Sequence, residues 1–333
     1  MRQVSIPSET RNSKRSWSRT ALQALLHYGG SALALFLLFR FLPGRQVLHI
    51  LAKLPAHLWV LVVAGYLATH LLGVGKWRLM VNTAGAGLNY LQAARCYFAG
   101  LFGTLFLPSL IGGDLVRAAL AMRYGKTKAG VLLGSFIDRM TDFGALCLLA
   151  LVGALLAPGA LHPETRRAFL WLAVAALVGI AAVAVGLAAT PVRRLSFRMR
   201  RRVVSLRRAA RSMARRPRIG LAALGIAILA QLLFISLNVV LADACGLRLP
   251  FRAWVFAWPL AKLSAAIPLT QGGIGVREGA LAALLVPFGA PPALTVAAGL
   301  AWEATSISGA LLSGAFALST GRVTAQSSAP VVR

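Results

Sequence analysis

The chain has 333 residues, of which 58% are hydrophobic and 13% are charged, and its 36 basic residues against eight acidic ones give a net charge of +28. Soluble globular proteins carry about 25% charged residues, so this composition excludes an ordinary soluble domain. The basic residues concentrate in the N-terminal tail and in one loop beside apolar stretches, which is typical of cytoplasmic segments facing anionic lipid and excludes nucleic acid as the expected partner.

In chain order, six stretches reach the roughly 20 apolar residues that a membrane-spanning helix needs. They are residues 21–42, 57–74, 129–156, 168–190, 219–242 and 293–318. Two further apolar regions, 90–124 and 251–288, are interrupted by a proline and a pair of glycines. The sequence predicts an all-α polytopic membrane protein with about six full transmembrane helices and two broken segments, which gives up to eight apolar segments.

The distribution of charge predicts the orientation. Residues 1–20 form a basic tail, and the loop 191–218 holds twelve arginines between positions 193 and 218 and no acid. Both should be cytoplasmic under the positive-inside rule. If each broken region crossed the membrane once, Arg123, Lys126 and Lys128 would lie outside. Re-entrant hairpins keep them cytoplasmic, and irregular backbone is tolerated in a membrane where protein or a cavity surrounds it. We therefore prefer two re-entrant hairpins, with both termini in the cytoplasm.

An internal repeat relates the two broken regions. Residues 108–117 read PSLIGGDLVR and residues 268–277 read PLTQGGIGVR, so five of ten positions are identical at an offset of 160. The single domain 21–318 then contains one repeat from about 57 to 156 and a second from about 219 to 318, followed by the tail 319–333. Because the span 168–190 separates them, the second copy should be inverted, a pattern typical of secondary transporters. Two independent glycine-rich turns are the alternative.

Ionisable residues inside the apolar segments are the candidate functional residues, because each central charge costs about 2.5–3.5 kcal/mol in a membrane. Five of the eight acids lie there, namely Asp114, Asp138, Asp142, Glu278 and Glu303. On one helix, Asp138 and Asp142 share a face and Arg139 could reach Asp142. We expect Asp138, Arg139, Asp142 and Glu303 to form a structural or gating ionic cluster.

Arg117 and Arg277 occupy matching positions of the repeat, and two interpretations stay open for them. They could cross-link helices, Arg117 to an aspartate and Arg277 to Glu303. Alternatively, they could bind an anionic group, because a guanidinium matches phosphate geometry. The neighbouring glycines favour the second interpretation, since glycine lets the backbone approach a ligand. The predicted substrate-binding residues are therefore Arg117, Arg277, Gly112, Gly113, Gly272, Gly273, Asp114 and Glu278.

The remaining polar and aromatic features predict no chemistry. His70 and three scattered cysteines are expected to be packing residues, and the tryptophans 59, 77, 171, 254 and 258 suit anchoring at the membrane interface. No catalytic, metal-binding or cofactor-binding motif is recognisable. We therefore expect no enzyme activity, no metal and no cofactor.

The runs LFLPSLIGGDLVRAALAMRYG and SFIDRMTDFGALCLLAL, with the later IPLTQGGIGVREGALAALL, resemble the lysylphosphatidylglycerol synthase transmembrane-region family of flippase-like proteins. The resemblance covers roughly residues 21 to 318. It implies that Pro108, Gly112, Gly113, Asp114 and Arg117 match the first family motif. It also implies that Asp138, Arg139 and Asp142 match the acidic-Arg-acidic helix of the family. The residues that match the second family motif are Gly272, Gly273, Gly275, Arg277 and Glu278.

The resemblance also implies a function. In the family's namesake this region is fused to an aminoacyltransferase and is thought to move the aminoacylated lipid between leaflets. This chain ends at Arg333 without that domain, so we expect no aminoacylation.

We hypothesise a translocator of the cytoplasmic membrane for an anionic phospholipid or a lipid-linked glycan or hopanoid-type lipid. Its arginine-rich loop would contact anionic lipid, and a second copy of the chain or a lipid synthase could be a further partner. A non-catalytic scaffold for a lipid- or glycan-modifying enzyme is the main alternative.

Overall fold

The computed structural model describes residues 49–50, 52–107, 110–156, 215–265 and 275–327, with a few isolated positions between 157 and 214. The regular structure of these residues is entirely helical. Several predicted features lie outside them: the first span 21–42, most of the span 168–190, most of the arginine-rich loop, and the N-terminal tail.

Eight α-helices and one short 3₁₀ turn make up the described part of the chain. In chain order they are α1 (Ala56–Thr83), α2 (Tyr90–Gly103), α3 (Leu110–Tyr124), α4 (Lys128–Leu156), α5 (Pro217–Ala244), α6 (Phe251–Ser264), α7 (Val276–Leu285), the 3₁₀ turn Val286–Phe288, and α8 (Pro292–Ser327).

Three of these helices, α1, α4 and α5, are long and apolar enough to cross a membrane. They have 28 or 29 residues, which corresponds to about 42 Å and exceeds the roughly 30 Å of a hydrocarbon core. They confirm three of the predicted spans, although α1 continues to Thr83 and not to residue 74. Helix α8 contains the predicted span 293–318 without interruption. The total number of spans stays a prediction.

Each broken region forms two short helices that pack against each other, α2 with α3 and α6 with α7. We call these pairs the first hairpin and the second hairpin. Their arms have 10 to 15 residues and therefore reach at most about 22 Å, less than the thickness of a bilayer core. The interruptions in the sequence thus mark real helix ends. Re-entry of each hairpin from one side of the membrane stays a prediction.

The first helix of each half ends in the same way. Gly85 follows α1 with φ +97°, and Gly246 follows α5 with φ +86°. The residue after each glycine donates its backbone N–H to the carbonyl five residues earlier, at 2.9 Å in the first half and 2.8 Å in the second. This is the Schellman motif, which requires a left-handed residue and therefore favours glycine. The two copies of the predicted repeat therefore share this helix ending in addition to a broken hairpin.

The packing of the helices follows the same division into α1–α4 and α5–α8. Helix α2 packs against α8 as α6 packs against α4, and α1 packs against α8 as α5 packs against α4. Helices α1 and α5 pack against each other across the two halves. Both halves are therefore interlocked around one centre. Their opposite orientation in the membrane stays a prediction.

Candidate functional site

The helices enclose a cavity of about 620 Å³ to which both halves contribute. This volume lies in the range of roughly 300–1,000 Å³ that small-molecule sites occupy. Its walls include aromatic residues of α1, α2, α5, α6 and α8, namely Tyr66, Tyr97, Phe234, Trp258 and Trp302. Five basic and three acidic side chains also line it: Lys76, Arg117, Arg139, Lys262, Arg277, Asp114, Asp142 and Glu303.

Lys76 of α1 joins the two predicted aspartates of α4. Its Nζ lies 2.8 Å from Asp138 Oδ1 and 2.7 Å from Asp142 Oδ1, and its side chain is only 4% exposed. Residues four apart share one face of a helix, so a single ammonium can contact both carboxylates. The prediction that Asp138 and Asp142 share a face is confirmed.

Arg117 of α3 lies next to this lysine. Its Nη2 is 3.0 Å from Asp114 Oδ1 and 3.3 Å from Asp138 Oδ2. The guanidinium carbon lies 4.9 Å from the Trp77 ring centroid and 5.1 Å from that of Tyr97. Aromatic faces stabilise a cation in this geometry, so Arg117 has both ionic and aromatic partners and still lines the cavity.

Arg139 forms an ion pair with Asp114 of α3. The prediction that it reaches Asp142 is wrong, because Lys76 contacts Asp142 and the carboxylate that faces Arg139 comes from the first hairpin. The predicted cluster of Asp138, Arg139, Asp142 and Glu303 is therefore divided. Its three α4 residues pair with side chains of α1 and α3, whereas Glu303 pairs with Arg277.

In the second half, Arg277 at the start of α7 occupies the position that corresponds to Arg117. Its Nη2 lies 2.6 Å from Glu303 Oε2 of α8 and 2.7 Å from Glu278 Oε1. Glu278 is fully buried, and its other oxygen accepts the backbone N–H of Gly275 at 2.7 Å. A carboxylate at this position caps the helix and favourably opposes the helix dipole. Glu278 thus lies behind Arg277 and is not among the residues that line the cavity.

The glycine pair of the first hairpin allows close packing of its arms. An added Cβ at Gly113 would lie 2.6 Å from the carbonyl oxygen of Gly100 and 2.5 Å from Cγ2 of Thr104, both on the α2 side. Gly112 similarly faces Leu107. Gly113 also lines the cavity, and Gly112 does not. The predicted residues Gly272 and Gly273, with Pro108 and Pro268, lie outside the described residues.

Lys262 of α6 differs from the other basic residues of the cavity. Its Nζ donates to Gln231 Oε1 at 3.1 Å and lies 4.9 Å from the Phe234 ring centroid. No carboxylate of the described residues forms an ion pair with it. Its partners are an amide and an aromatic ring, so no carboxylate of the described part of the chain neutralises this ammonium by direct contact.

Several lining residues carry buried nitrogen atoms without a hydrogen-bond partner among the described residues. These atoms are Nε of Arg117, Nε1 of Trp258 and Nε2 of His70. Buried polar groups are normally hydrogen-bonded. Two of the three atoms are obligatory donors, but all three are buried, so they are not counted among the donors available to a ligand. His70 otherwise packs as predicted, with its Nδ1 3.2 Å from Tyr97 Oη.

Sequence reasoning missed both lysines of the cavity. Lys76 lies two residues beyond residue 74, where the predicted span ends. Lys262 lies inside an apolar segment and could have been found by the same rule that selected the acids. The tryptophans 77, 254 and 258 are buried and not interfacial as predicted, because they pack around the ionic residues and in the core of the second half.

The described residues contain no group of three histidine, cysteine or acidic side chains that could hold a metal ion. Cys96, Cys147 and Cys245 are buried and free.

Comparison with curated proteins gives no match to the chain. The family model for the lysylphosphatidylglycerol synthase TM region matches residues 23–314, which is most of the sequence. The match includes both hairpins and all the charged residues of the cavity. Together with the long apolar helices, it identifies a multi-pass integral membrane protein of a lipid-related family. The chain belongs to the lysylphosphatidylglycerol synthase TM region family.

Proposed function

We propose that the protein translocates an anionic lipid across the cytoplasmic membrane and binds the lipid headgroup in the central cavity. The observation that carries the proposal is Lys262, a cavity-lining ammonium without a carboxylate partner among the described residues. A phosphate would supply the missing counter-charge. Anionic phospholipids and lipid-linked glycans or hopanoid-type lipids are the substrates that we consider.

The distribution of charge around the cavity supports an anionic ligand. Five basic side chains line the cavity, but only three acidic ones do. The two other acids of the apolar segments, Asp138 and Glu278, are almost fully buried. They contact Lys76, Arg117 and Arg277 directly, so Lys262 is the cavity cation without a carboxylate partner among the described residues. Charge-assisted hydrogen bonds to phosphate are strong in such surroundings.

The two interlocked halves support movement of the lipid between leaflets. If the second half is inverted, as the charge pattern predicts, the hairpins reach the same cavity from opposite sides. Each half supplies one arginine of a hairpin, Arg117 or Arg277, together with a carboxylate of its own long helix. Rocking of one half against the other would then expose one cavity alternately, as in other transporters built from inverted repeats. Both termini and the arginine-rich loop would face the cytoplasm.

The test is leaflet exchange in vesicles that contain the purified protein and a trace of anionic phospholipid with a fluorescent headgroup label. A membrane-impermeant reductant destroys the label in the outer leaflet, so further loss of fluorescence reports exchange. We expect the wild-type protein to exchange lipid faster than empty vesicles. The same rate in both would remove the proposal and leave the scaffold hypothesis.

Lys262→Ala should slow this exchange roughly tenfold or more, because a hydrogen bond to a charged group contributes about 1.5–3 kcal/mol. Lys262→Arg should retain part of the rate. Arg252→Ala is the matched control, since Arg252 is an exposed cation of the same helix that does not line the cavity. If the wild-type protein exchanges lipid and the Lys262→Ala variant does so at the same rate, the anion binds elsewhere in the protein.

A further inference from the structure

The cavity reaches the outer surface of the described residues at an apolar rim. Three large hydrophobic residues both line the cavity and are exposed, namely Phe106 at 59%, Ile307 at 38% and Leu311 at 52%. Phe106 lies between the arms of the first hairpin, and the other two lie on α8. Exposed apolar side chains of a membrane-spanning bundle face lipid. The rim therefore adjoins hydrocarbon.

One face of α8 leads from this rim to the ionic residues. Glu303, Ile307 and Leu311 follow one another at intervals of four residues, and all three line the cavity. Residues at this spacing share one side of a helix, and eight residues correspond to about 12 Å. The face thus begins at the carboxylate that contacts Arg277 and ends at an exposed leucine. Its polarity falls from ionic to apolar over two turns.

The corresponding face in the first half is covered. At the offset of 160 that relates the two motifs, Cys147 and Leu151 of α4 are at the positions of Ile307 and Leu311. Cys147 is 8% exposed, Leu151 is half-buried, and neither lines the cavity. On the described residues of α4, the cavity therefore has no exposed apolar rim. Among the described residues, the exposed opening lies beside α8.

We propose that the gap between the turn of the first hairpin and α8 is a lateral portal for the acyl chains of a membrane lipid. The inference rests on the proposed function and specifies how the substrate enters. The headgroup lies among the charges of the cavity, while the chains pass Ile307 and Leu311 and stay in the bilayer. An apolar rim suits hydrocarbon chains, whereas a water-soluble anion would need a polar path to the same site.

Leu311→Lys tests the portal in the leaflet-exchange assay. A charge in hydrocarbon is unfavourable, and acyl chains that pass this position would meet the ammonium of the lysine. We expect at least a tenfold slower exchange. Leu312→Lys is the matched control, because Leu312 is the next residue of α8 and is 53% exposed, yet it does not line the cavity. It should exchange lipid at the wild-type rate.

Photo-crosslinking of the wild-type protein gives a second measurement that does not depend on folding of the variants. With a phospholipid that carries a diazirine on its acyl chain, we expect labelling of Phe106 and Ile307 in excess of Leu312 and Leu229, which are exposed but do not line the cavity.

A third measurement uses glycerophosphoglycerol, which is a headgroup without chains and should not enter vesicles through the protein.

The outcomes separate the portal from the proposed function. Wild-type exchange with equal rates for Leu311→Lys and Leu312→Lys, or with uniform labelling of all exposed residues, would overturn the portal alone. Uptake of glycerophosphoglycerol would show that the cavity serves a water-soluble anion and would also overturn it. No wild-type exchange would overturn the function on which the portal rests.

Discussion

Asp138 is the carboxylate that joins the first hairpin to the long helices. It is 2% exposed and contacts Lys76 of α1 and Arg117 of α3, while it belongs to α4 itself. Two buried cations therefore share this anion, although Lys76 also contacts Asp142 and Arg117 also contacts Asp114. Because a buried ion pair is costly to break and only weakly favourable to form, loss of this carboxylate should destabilise the fold more than loss of an exposed one.

Asp138→Asn should destabilise the protein by about 3–5 kcal/mol, the range for removal of one partner of a buried ion pair. Thermal unfolding in detergent can be followed with a thiol-reactive dye, because all three cysteines are buried in the folded state. Asp243→Asn is the control, since Asp243 is an exposed carboxylate near the end of α5, and it should change the stability by less than about 0.5 kcal/mol. Equal midpoints for the two variants would contradict the role of Asp138.

At the same scale, the sequence predicted the ionic residues and some of their partners. Membrane-embedded acids are costly and rare, and this rule selected Asp114, Asp138, Asp142, Glu278 and Glu303, each of which forms an ion pair in the structure. The pairings of Arg117 with an aspartate and of Arg277 with Glu303 are confirmed. The pairing of Arg139 with Asp114 depends on tertiary packing, which no local pattern contains. The contacts of Lys76 and the separation of Lys262 from carboxylates are visible only in the structure.

At the scale of elements, small residues determine how closely the arms of a hairpin approach. Gly100 of α2 and Gly113 of α3 face each other, and a Cβ on Gly113 would lie within 2.6 Å of a backbone oxygen that cannot move easily. The sequence predicts that the adjacent glycines Gly112 and Gly113 expose backbone to a ligand. In the structure, the clearest role of Gly113 is packing between α2 and α3, although Gly113 also borders the cavity.

Gly113→Ala should therefore separate the arms of the first hairpin and destabilise the protein by about 1–3 kcal/mol, as overpacking does elsewhere. Gly144→Ala on α4 is the matched control, because no atom lies within 4 Å of its added Cβ. Alanine in an open helical position should be neutral or slightly stabilising. The thiol-reactive unfolding measurement distinguishes the two. A midpoint for Gly113→Ala at or above that of Gly144→Ala would show that the arms are not closely packed.

At the scale of the whole molecule, the long apolar runs and the breaks at proline and glycine were sufficient to predict an all-helical membrane protein with two hairpins. The hydrophobic thickness of a bilayer explains this success, because it requires long apolar helices that are visible in sequence. Helix ends were less predictable. Helix α1 extends to Thr83 beyond its apolar part, because ionic partners within the bundle satisfy Lys76 there.

The cavity and its apolar rim could not be predicted from the sequence. The rim forms where α8 passes the turn of the first hairpin, and about 200 residues of sequence separate these two elements. Adjacent leucines at positions 311 and 312 have the same composition and nearly the same exposure, yet only one of them lines the cavity. Such a difference depends on the rotation of a helix about its axis, which is determined by packing.

The most direct test of lipid binding in this cavity is an electron density map of the full-length protein in nanodiscs that contain anionic phospholipid. We predict phosphate density within about 3 Å of Lys262 Nζ, with chain density leaving the cavity past Leu311. A cavity without lipid density, with the ammonium of Lys262 in direct contact with a carboxylate, would contradict the proposed function.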